Sequence, residues 1–191
     1  MTELSELERV RKSLLGRPSR PLDLPRRAAV ALLLSEQQSE LAVLLVRRAE
    51  RAGDPWSGHM ALPGGHFHPE DGDLLVTARR ETHEEVGLDL SRAELLGSLD
   101  DITPMRSSAL AVRPFVFWLS EPVTLGLSPE VAETLWVPLS QLAAGGLRQV
   151  REVEVQSTRL SVPAYVIEDR IVWGMTFRLL EDFLAKISPS A

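Results

Sequence analysis

The chain has 191 residues, of which 44% are apolar and 25% charged, so it can bury the core of one globular domain. Its net charge of −6 disfavours a nucleic-acid polymer as partner, because an acidic surface repels a phosphate backbone. The absence of cysteine excludes disulfides, thiolate zinc sites and a cysteine nucleophile. The N-terminal sequence is acidic where a signal peptide is basic, and no apolar stretch is long enough to span a bilayer. We therefore expect a cytoplasmic protein with no membrane partner.

The first 25 residues are predicted to form a helix and a linker ahead of a larger domain at 26–191. Apolar residues at helical spacing precede a glycine that can end the helix: Leu4, Leu7, Val10 and Leu14, then Gly16. Residues 17–26 contain three prolines and predict a linker rather than a regular element.

The larger domain alternates strand and helix patterns, which favours an α+β fold with helices flanking a mixed sheet. Apolar runs predict a hairpin from the first two strands and several strands later in the chain: 28–34, 41–46, 95–100, 111–119, 152–156, 160–162 and 165–167. An irregular loop is expected at 48–59 and a short helical turn at 128–130. One helix is predicted from Asp73 to a C-terminal Gly87, and another over 179–187.

Three glutamates lie close together near the end of the first of these helices. Glu81 and Glu85 are one turn apart and Glu84 lies beside both, so the three share one arc of the helix, opposite in part to an apolar stripe. Like charges this close are either a solvated surface or the ligands of a cation. Pro63, Gly64 and Gly65 precede the helix and let bare backbone approach the acids, which favours the cation.

Carboxylate and carbonyl oxygens suit Mg²⁺ or Mn²⁺ and do not suit zinc. Magnesium is usually bound by a few carboxylates while it keeps waters and substrate phosphates. A diphosphate facing three glutamates would be repelled without such ions. The pattern therefore predicts a divalent-metal site that acts on a small diphosphate substrate.

The segment from Gly65 to Leu88 resembles the Nudix box of the Nudix hydrolases, G-x5-E-x7-R-E-U-x-E-E-x-G-U, in which U is aliphatic. The resemblance implies an α/β/α sandwich and cleavage of a nucleoside diphosphate linked to another moiety, with Mg²⁺ or Mn²⁺ as cofactor. It implies site roles for five residues: Arg80 braces the box, Glu81, Glu84 and Glu85 ligate metal, one of them acting as base, and the Gly64 carbonyl is an additional ligand.

Three features depart from the general box. Asp71 replaces the first glutamate, eight residues rather than seven separate it from Arg80, and Thr82 stands where an aliphatic residue is usual. This spacing resembles the coenzyme A diphosphatase branch, as do LAVLLVRRA before the box, SPEVAETLWVPLSQL after it and IVWGMT near the end. That resemblance implies cleavage of coenzyme A or a derivative to 3′,5′-ADP and 4′-phosphopantetheine.

The loop before the box makes other substrates a real alternative. It is one residue longer than in that branch and places Gly53 and Asp54 near the expected basic residue, where an acid disfavours a 3′-phosphate. The nearby arginines that could offset this acid are Arg47, Arg48 and Arg51. Pro104, sixteen positions beyond Leu88, is similar to the placement in ADP-ribose diphosphatases. ADP-ribose or a nucleotide sugar is thus the second hypothesis.

Residues outside the acidic helix are candidates with weaker signals. Glu130 or Glu133 could supply a further metal ligand, or could be ordinary surface acids. Trp56 could stack on a base or pack in the core, and Gly65 and His66 are placed to contact substrate. A Nudix-fold regulator that binds a nucleotide without cutting it also stays open, as does the choice between monomer and homodimer.

Overall fold

Ten strands and four helices organise the part of the chain that the computed structural model describes, residues 5–53, 56–105, 107, 109–155 and 158–188. In chain order they are α1 (Glu6–Leu14), β1 (Arg26–Gln37), β2 (Glu40–Arg48), β3 (Met60–Ala61), β4 (Gly64–His66), α2 (Leu74–Val86), β5 (Glu94–Ser98), β6 (Leu110–Leu119), β7 (Val131–Pro138), α3 (Leu139–Ala143), β8 (Arg148–Val155), β9 (Thr158–Ile167), β10 (Arg170–Trp173) and α4 (Gly174–Ile187). Short 3₁₀ turns lie at Pro69–Asp71 and Leu90–Arg92.

The main sheet is mixed, because β1 runs parallel to β6 while its other strand pairs are antiparallel. Strands β1 and β2 form the predicted hairpin, but they pair only over 34–37 and 40–43. Beyond that point β1 pairs with β4 and β2 pairs with β3. Residues 60–66 therefore occupy the gap between two diverging strands, which places Gly64 and Gly65 inside the sheet.

Helices cover both faces of this sheet, as the sequence predicted. On one face, α2 packs Leu74 and Ala78 against Ala29 and Phe117. On the other face, α1 and α4 join a core cluster that includes Leu32 and Leu45. This alternation follows from strand geometry, since successive side chains of β1 point to opposite faces. The fold is α+β, with a mixed sheet and flanking helices.

The N-terminal helix and linker pack onto the rest of the fold. Val10 and Leu14 of α1 are buried in the core cluster beneath the sheet. The linker is held by two adjacent carboxylates at the end of β5. Asp100 accepts hydrogen bonds from Arg17 Nη2 and the Arg20 backbone N–H, both at 2.9 Å, and Asp101 accepts one from the Leu22 N–H at 2.9 Å. These contacts tie residues 17–22 to the sheet.

Several elements were missed or predicted with the wrong length. Residues 128–130 form a hydrogen-bonded turn, in which the Val131 N–H donates to the Ser128 carbonyl at 3.1 Å, but the strand β7 that follows them was not predicted. Strand β10 was also missed, and β9 is one continuous strand rather than two. Both missed strands are defined by partners far along the chain or by a short hairpin, which local apolar periodicity does not reveal. No helix in the described ranges is long and apolar enough to cross a bilayer.

Candidate active site

Helix α2 positions the three glutamates. Asp73 caps its start by accepting a hydrogen bond from the Val76 N–H at 2.8 Å, and Gly87 ends it in the left-handed conformation with φ 68°. Glu81 is largely covered and Glu84 is exposed, with side-chain exposures of 16% and 55%. Glu85 is buried, so the arc that the three acids share extends from solvent at Glu84 into the protein at Glu85. It lies beside Val86, at the border of the apolar stripe.

Arg80 connects the helix to the loop before it. Its Nε and Nη2 donate to the two carboxylate oxygens of Asp71 at 2.8 and 3.0 Å, and Nη2 also donates to the His66 carbonyl at 3.1 Å. Its Nη1 donates to Glu81 at 2.9 Å and to Glu84 at 3.0 Å. The guanidinium therefore fixes the shape of the loop and offsets part of the negative charge of three acids.

Asp71 is the other half of this brace. Its carboxylate is only 4% exposed and also accepts hydrogen bonds from the His68 N–H at 3.1 Å and from Thr77 Oγ1 at 2.8 Å. The hydrogen bonds from Arg80 hold the pKa of Asp71 well below its usual range. The shorter side chain that replaces the glutamate of the general box thus reaches the arginine across the longer spacing.

The two loop glycines bring backbone against the carboxylates. The Gly64 N–H donates to Glu85 Oε2 at 3.0 Å. A Cβ on Gly65 would lie 2.4 Å from Glu81 Cδ, and a Cβ on Gly64 would lie 2.3 Å from the Ala29 carbonyl oxygen. Gly64 also has φ 151°, which other residues rarely adopt. No side chain fits at Gly64, where the clash is with backbone, and one at Gly65 would displace the end of Glu81.

Burial raises the pKa of Glu85 to about 7. The Gly64 N–H opposes this shift by favouring the carboxylate, the charges of Glu81 and Glu130 add to it, and the charge of Arg48 reduces it. Glu130 is therefore close enough to act on Glu85 electrostatically, although it lies at the start of another strand.

The donor set fits a hard divalent cation. Glu81, Glu84 and Glu85 present carboxylate oxygens within one helical turn, and a cation beside the buried Glu85 would offset the cost of its charge. In the described residues no three histidine, aspartate or glutamate side chains converge on one point. The Arg80 guanidinium lies against Glu81 and Glu84. Magnesium does not require such a cage, because it completes its shell with waters and phosphates.

The raised pKa of Glu85 predicts a pH-dependent stability without divalent metal. Because the folded state favours the protonated acid, stability is greatest below the ordinary value of 4.5 and falls as pH rises towards 7. We expect the free energy of unfolding to decrease by about 2–3 kcal/mol between pH 4.5 and 7.5, on the scale of 1.36 kcal/mol for each pKa unit. Urea denaturation in EDTA measures it. Glu85→Gln should lose most of this slope, and an equal slope in both proteins would contradict the assignment.

Gly65→Ala should damage the site more than the fold. The added methyl collides with the end of the Glu81 side chain, which can move away, so we expect at least about a tenfold loss of hydrolysis with a nearly unchanged melting temperature. Gly126→Ala is the matched control, because a Cβ there meets nothing within 4 Å. Unchanged activity in Gly65→Ala would show that the position of Glu81 is unimportant.

The two additional acids proposed from sequence lie in different surroundings. Glu130 pairs with Arg51 at 3.1 Å and its charge acts on Glu85. Glu133 instead bonds to Arg170 Nε at 2.6 Å and lies 3.4 Å from Arg47 Nε. The structure thus brings Glu130, and not Glu133, towards the acidic helix.

The remaining predicted substrate contacts surround the loop before the box. Arg47 and Arg51 are engaged by glutamates, and Arg48 acts on Glu85 through its charge. His66 lies at the edge of the glycine loop, with Nε2 3.2 Å from Arg26 Nη2. Trp56 is 38% exposed and packs against other rings rather than in the core. Asp54, the acid that made the substrate ambiguous, lies outside the described residues.

A cleft that sequence reasoning missed opens between strands β2 and β3 and a separate antiparallel sheet formed by β8, β9 and β10. Its volume is about 310 Å³, and Arg47, His59, Arg170 and Trp173 are among its lining residues. The rings of His59 and Trp173 are 5.2 Å apart, and Trp56 lies 6.1 Å from Trp173. The Ile171–Thr176 segment was noted for its resemblance, but nothing local in it shows that Trp173 meets the loop before the box.

Comparison with known proteins is consistent with this geometry. The model of the NUDIX domain matches residues 24–156. A Nudix hydrolase of Photorhabdus laumondii named NudL, itself uncharacterized, is 30% identical over 173 residues, which are 89% of each chain. An uncharacterized protein of Schizosaccharomyces pombe is 38% identical over 141 residues, 62% of this chain and 43% of that protein. A MutT/nudix family protein from Enterococcus faecalis shares the fold, with a TM-score of 0.55 at 17% identity over 95% of this chain and 74% of its own.

The chain belongs to the Nudix hydrolase family. The domain match and the relatives identify it as an enzyme of the pyrophosphohydrolase class, and the mixed sheet with helices on both faces agrees with that assignment. The chain spans less than half of the S. pombe relative but about nine tenths of the P. laumondii one.

Proposed function

We propose that this protein is a divalent-metal-dependent hydrolase that cleaves the diphosphate bond of a nucleoside diphosphate linked to another moiety. The observation that carries the proposal is the position of Glu81, Glu84 and Glu85 on one helical turn, with the buried Glu85 bonded to Gly64. Of the three acids, Glu85 and Glu81 lie against the glycine loop, and Glu84 shares the Arg80 guanidinium with Glu81. They make chemical sense as the ligands of Mg²⁺ or Mn²⁺.

In this proposal Glu81, Glu84 and Glu85 would hold the cations, with the Gly64 carbonyl as a further ligand. Cations held there would neutralise phosphoryl oxygens and make a water molecule more acidic, and one of the carboxylates would accept its proton. Arg80 maintains the loop through Asp71. Glu130, whose charge reaches Glu85, is the candidate for a ligand from outside the helix.

Coenzyme A or a derivative is the first candidate substrate, cleaved to 3′,5′-ADP or its analogue and 4′-phosphopantetheine. Its support is the resemblance of the D-x8-R-E-x-x-E-E spacing to that branch. ADP-ribose or a nucleotide sugar is the second candidate, since Arg47 and Arg51 are engaged by glutamates and do little to attract a 3′-phosphate.

A panel of nucleoside diphosphate derivatives, incubated with Mg²⁺ or Mn²⁺ and resolved by mass spectrometry, tests the reaction class. We expect cleavage between the two phosphorus atoms, no product in EDTA, and one ¹⁸O atom in a product when the solvent is H₂¹⁸O. Binding of a nucleotide without any product, unchanged by Glu84→Gln, would instead identify a non-catalytic regulator.

A further inference from the structure

The cleft beside Trp173 is charged in a way that selects among diphosphate substrates. Its arginines, Arg47 and Arg170, are opposed by three lining acids: Glu152, Glu154 and Asp169. The acids exceed the bases before any neighbouring carboxylate is counted. An additional phosphate on the substrate would therefore face a cleft lining whose charge is also negative.

The two arginines are also engaged with carboxylates. Both contact Glu133, with Arg170 Nε at 2.6 Å and Nη2 at 3.2 Å from its two oxygens. Arg170 Nη1 further donates to Glu168 at 2.7 Å and to Asp169 at 2.8 Å. Arg170 is a structural cation of the β9–β10 hairpin rather than a phosphate anchor.

Two aromatic rings, those of His59 and Trp173, also line the cleft. They meet edge to face at 67° with their centroids 5.2 Å apart, and Trp56 packs against both, 5.8 Å from His59 and 6.1 Å from Trp173. Ring surfaces next to carboxylate acceptors suit an uncharged heterocycle whose amino and hydroxyl groups donate hydrogen bonds.

The cleft and the acidic helix border the same short segment. Met60 lines the cleft and precedes Gly64 by four residues, a span of at most about 14 Å even when fully extended. The Arg48 N–H donates to the His59 carbonyl at 3.0 Å, and the charge of Arg48 acts on Glu85. A substrate with its diphosphate at the glutamates can thus extend along 58–64 into the cleft.

We infer that the cleft beside Trp173 receives the nucleoside half of the substrate and disfavours a phosphate on its ribose. The inference rests on the proposed function and narrows its substrate class to diphosphates of nucleosides with an unphosphorylated ribose. Among coenzyme A derivatives, 3′-dephospho-coenzyme A fits this description and coenzyme A does not.

The matched pair of coenzyme A and 3′-dephospho-coenzyme A, which differ by one phosphate, tests the inference. We expect kcat/KM with Mg²⁺ to be higher for the dephospho compound by about tenfold at low salt, and the ratio to shrink at high salt because screening weakens the repulsion. Glu152→Gln combined with Glu154→Gln should move the ratio towards one. Glu36→Gln combined with Glu121→Gln removes the same charge from exposed positions that do not line the cleft, and should leave the ratio unchanged.

Failure of the inference can be told apart from failure of the proposed function. Coenzyme A cleaved as well as the dephospho compound, or a ratio insensitive to the double glutamine variant, overturns the inference while the diphosphatase stands. No product from either compound, or from the wider panel, refutes the diphosphatase. In that case calorimetry with the same two compounds and Mg²⁺ still tests the inference. Equal dissociation constants, or no binding of either compound, overturn the inference. A tenfold preference for the dephospho compound supports it.

Discussion

Glu85→Gln is expected to lower the hydrolysis rate by about 10²- to 10⁴-fold, the range that a group engaged in proton transfer or charge stabilisation contributes. The substitution removes the buried carboxylate of α2, and the new amide oxygen can still accept the Gly64 hydrogen bond. The fold should persist, and at neutral pH it should be slightly more stable, because a buried charge is gone. Steady-state kinetics and urea denaturation on the same preparation measure both effects.

Glu70→Gln provides the comparison for this experiment. It removes the same charge from an exposed position in the 3₁₀ turn before α2, and its activity should match the wild type. Wild-type rates from Glu85→Gln would remove the buried acid from the mechanism. A collapse of its stability would mean instead that Glu85 is mainly structural.

Arg80→Ala is expected to reduce both stability and activity. Its guanidinium is the hydrogen-bond partner of Asp71, whose carboxylate is only 4% exposed, and it contacts Glu81 and Glu84 as well. Removal of one partner from a buried ion pair leaves an uncompensated charge, so we expect the free energy of unfolding to fall by about 3 kcal/mol. Hydrolysis should also fall steeply, because the glycine loop loses its tie to the helix.

Arg79→Ala is the control that measures the effect of removing an arginine from this helix without breaking the contact with Asp71. Arg79 is the adjacent residue, and its Nε makes no hydrogen bond, so its removal should cost much less. The double variant with Asp71→Asn and Arg80→Ala should recover part of the stability, because no buried carboxylate is left without its cation. Equal losses for Arg79→Ala and Arg80→Ala would contradict the role of the brace.

Local sequence patterns predicted much of the fold. The apolar spacing and the left-handed Gly87 predicted the extent of α2, although the cap at Asp73 was not identified, and two apolar runs around a polar turn predicted the β1–β2 hairpin. Strand β7 was missed because it is defined by pairing with β2, about ninety residues earlier in the chain. Such pairing leaves only a weak local signal.

The candidate site was predicted less evenly. Spacing alone places three glutamates on one helix, but burial of Glu85 depends on how α2 is rotated against the sheet. The cleft beside Trp173 depends on an ion pair between Arg170 and Glu133, 37 positions apart, and on rings from the loop before β3. These are long-range contacts that no periodicity encodes.

Anomalous diffraction from crystals soaked in Mn²⁺ together with a non-hydrolysable diphosphate analogue is the most direct test of the account. We predict manganese peaks within coordination distance of oxygens of Glu81, Glu84 and Glu85 and of the bridging phosphates, with Arg80 still bonded to Asp71. Manganese absent from this helix, or an analogue bound with its phosphates away from the three glutamates, would contradict it.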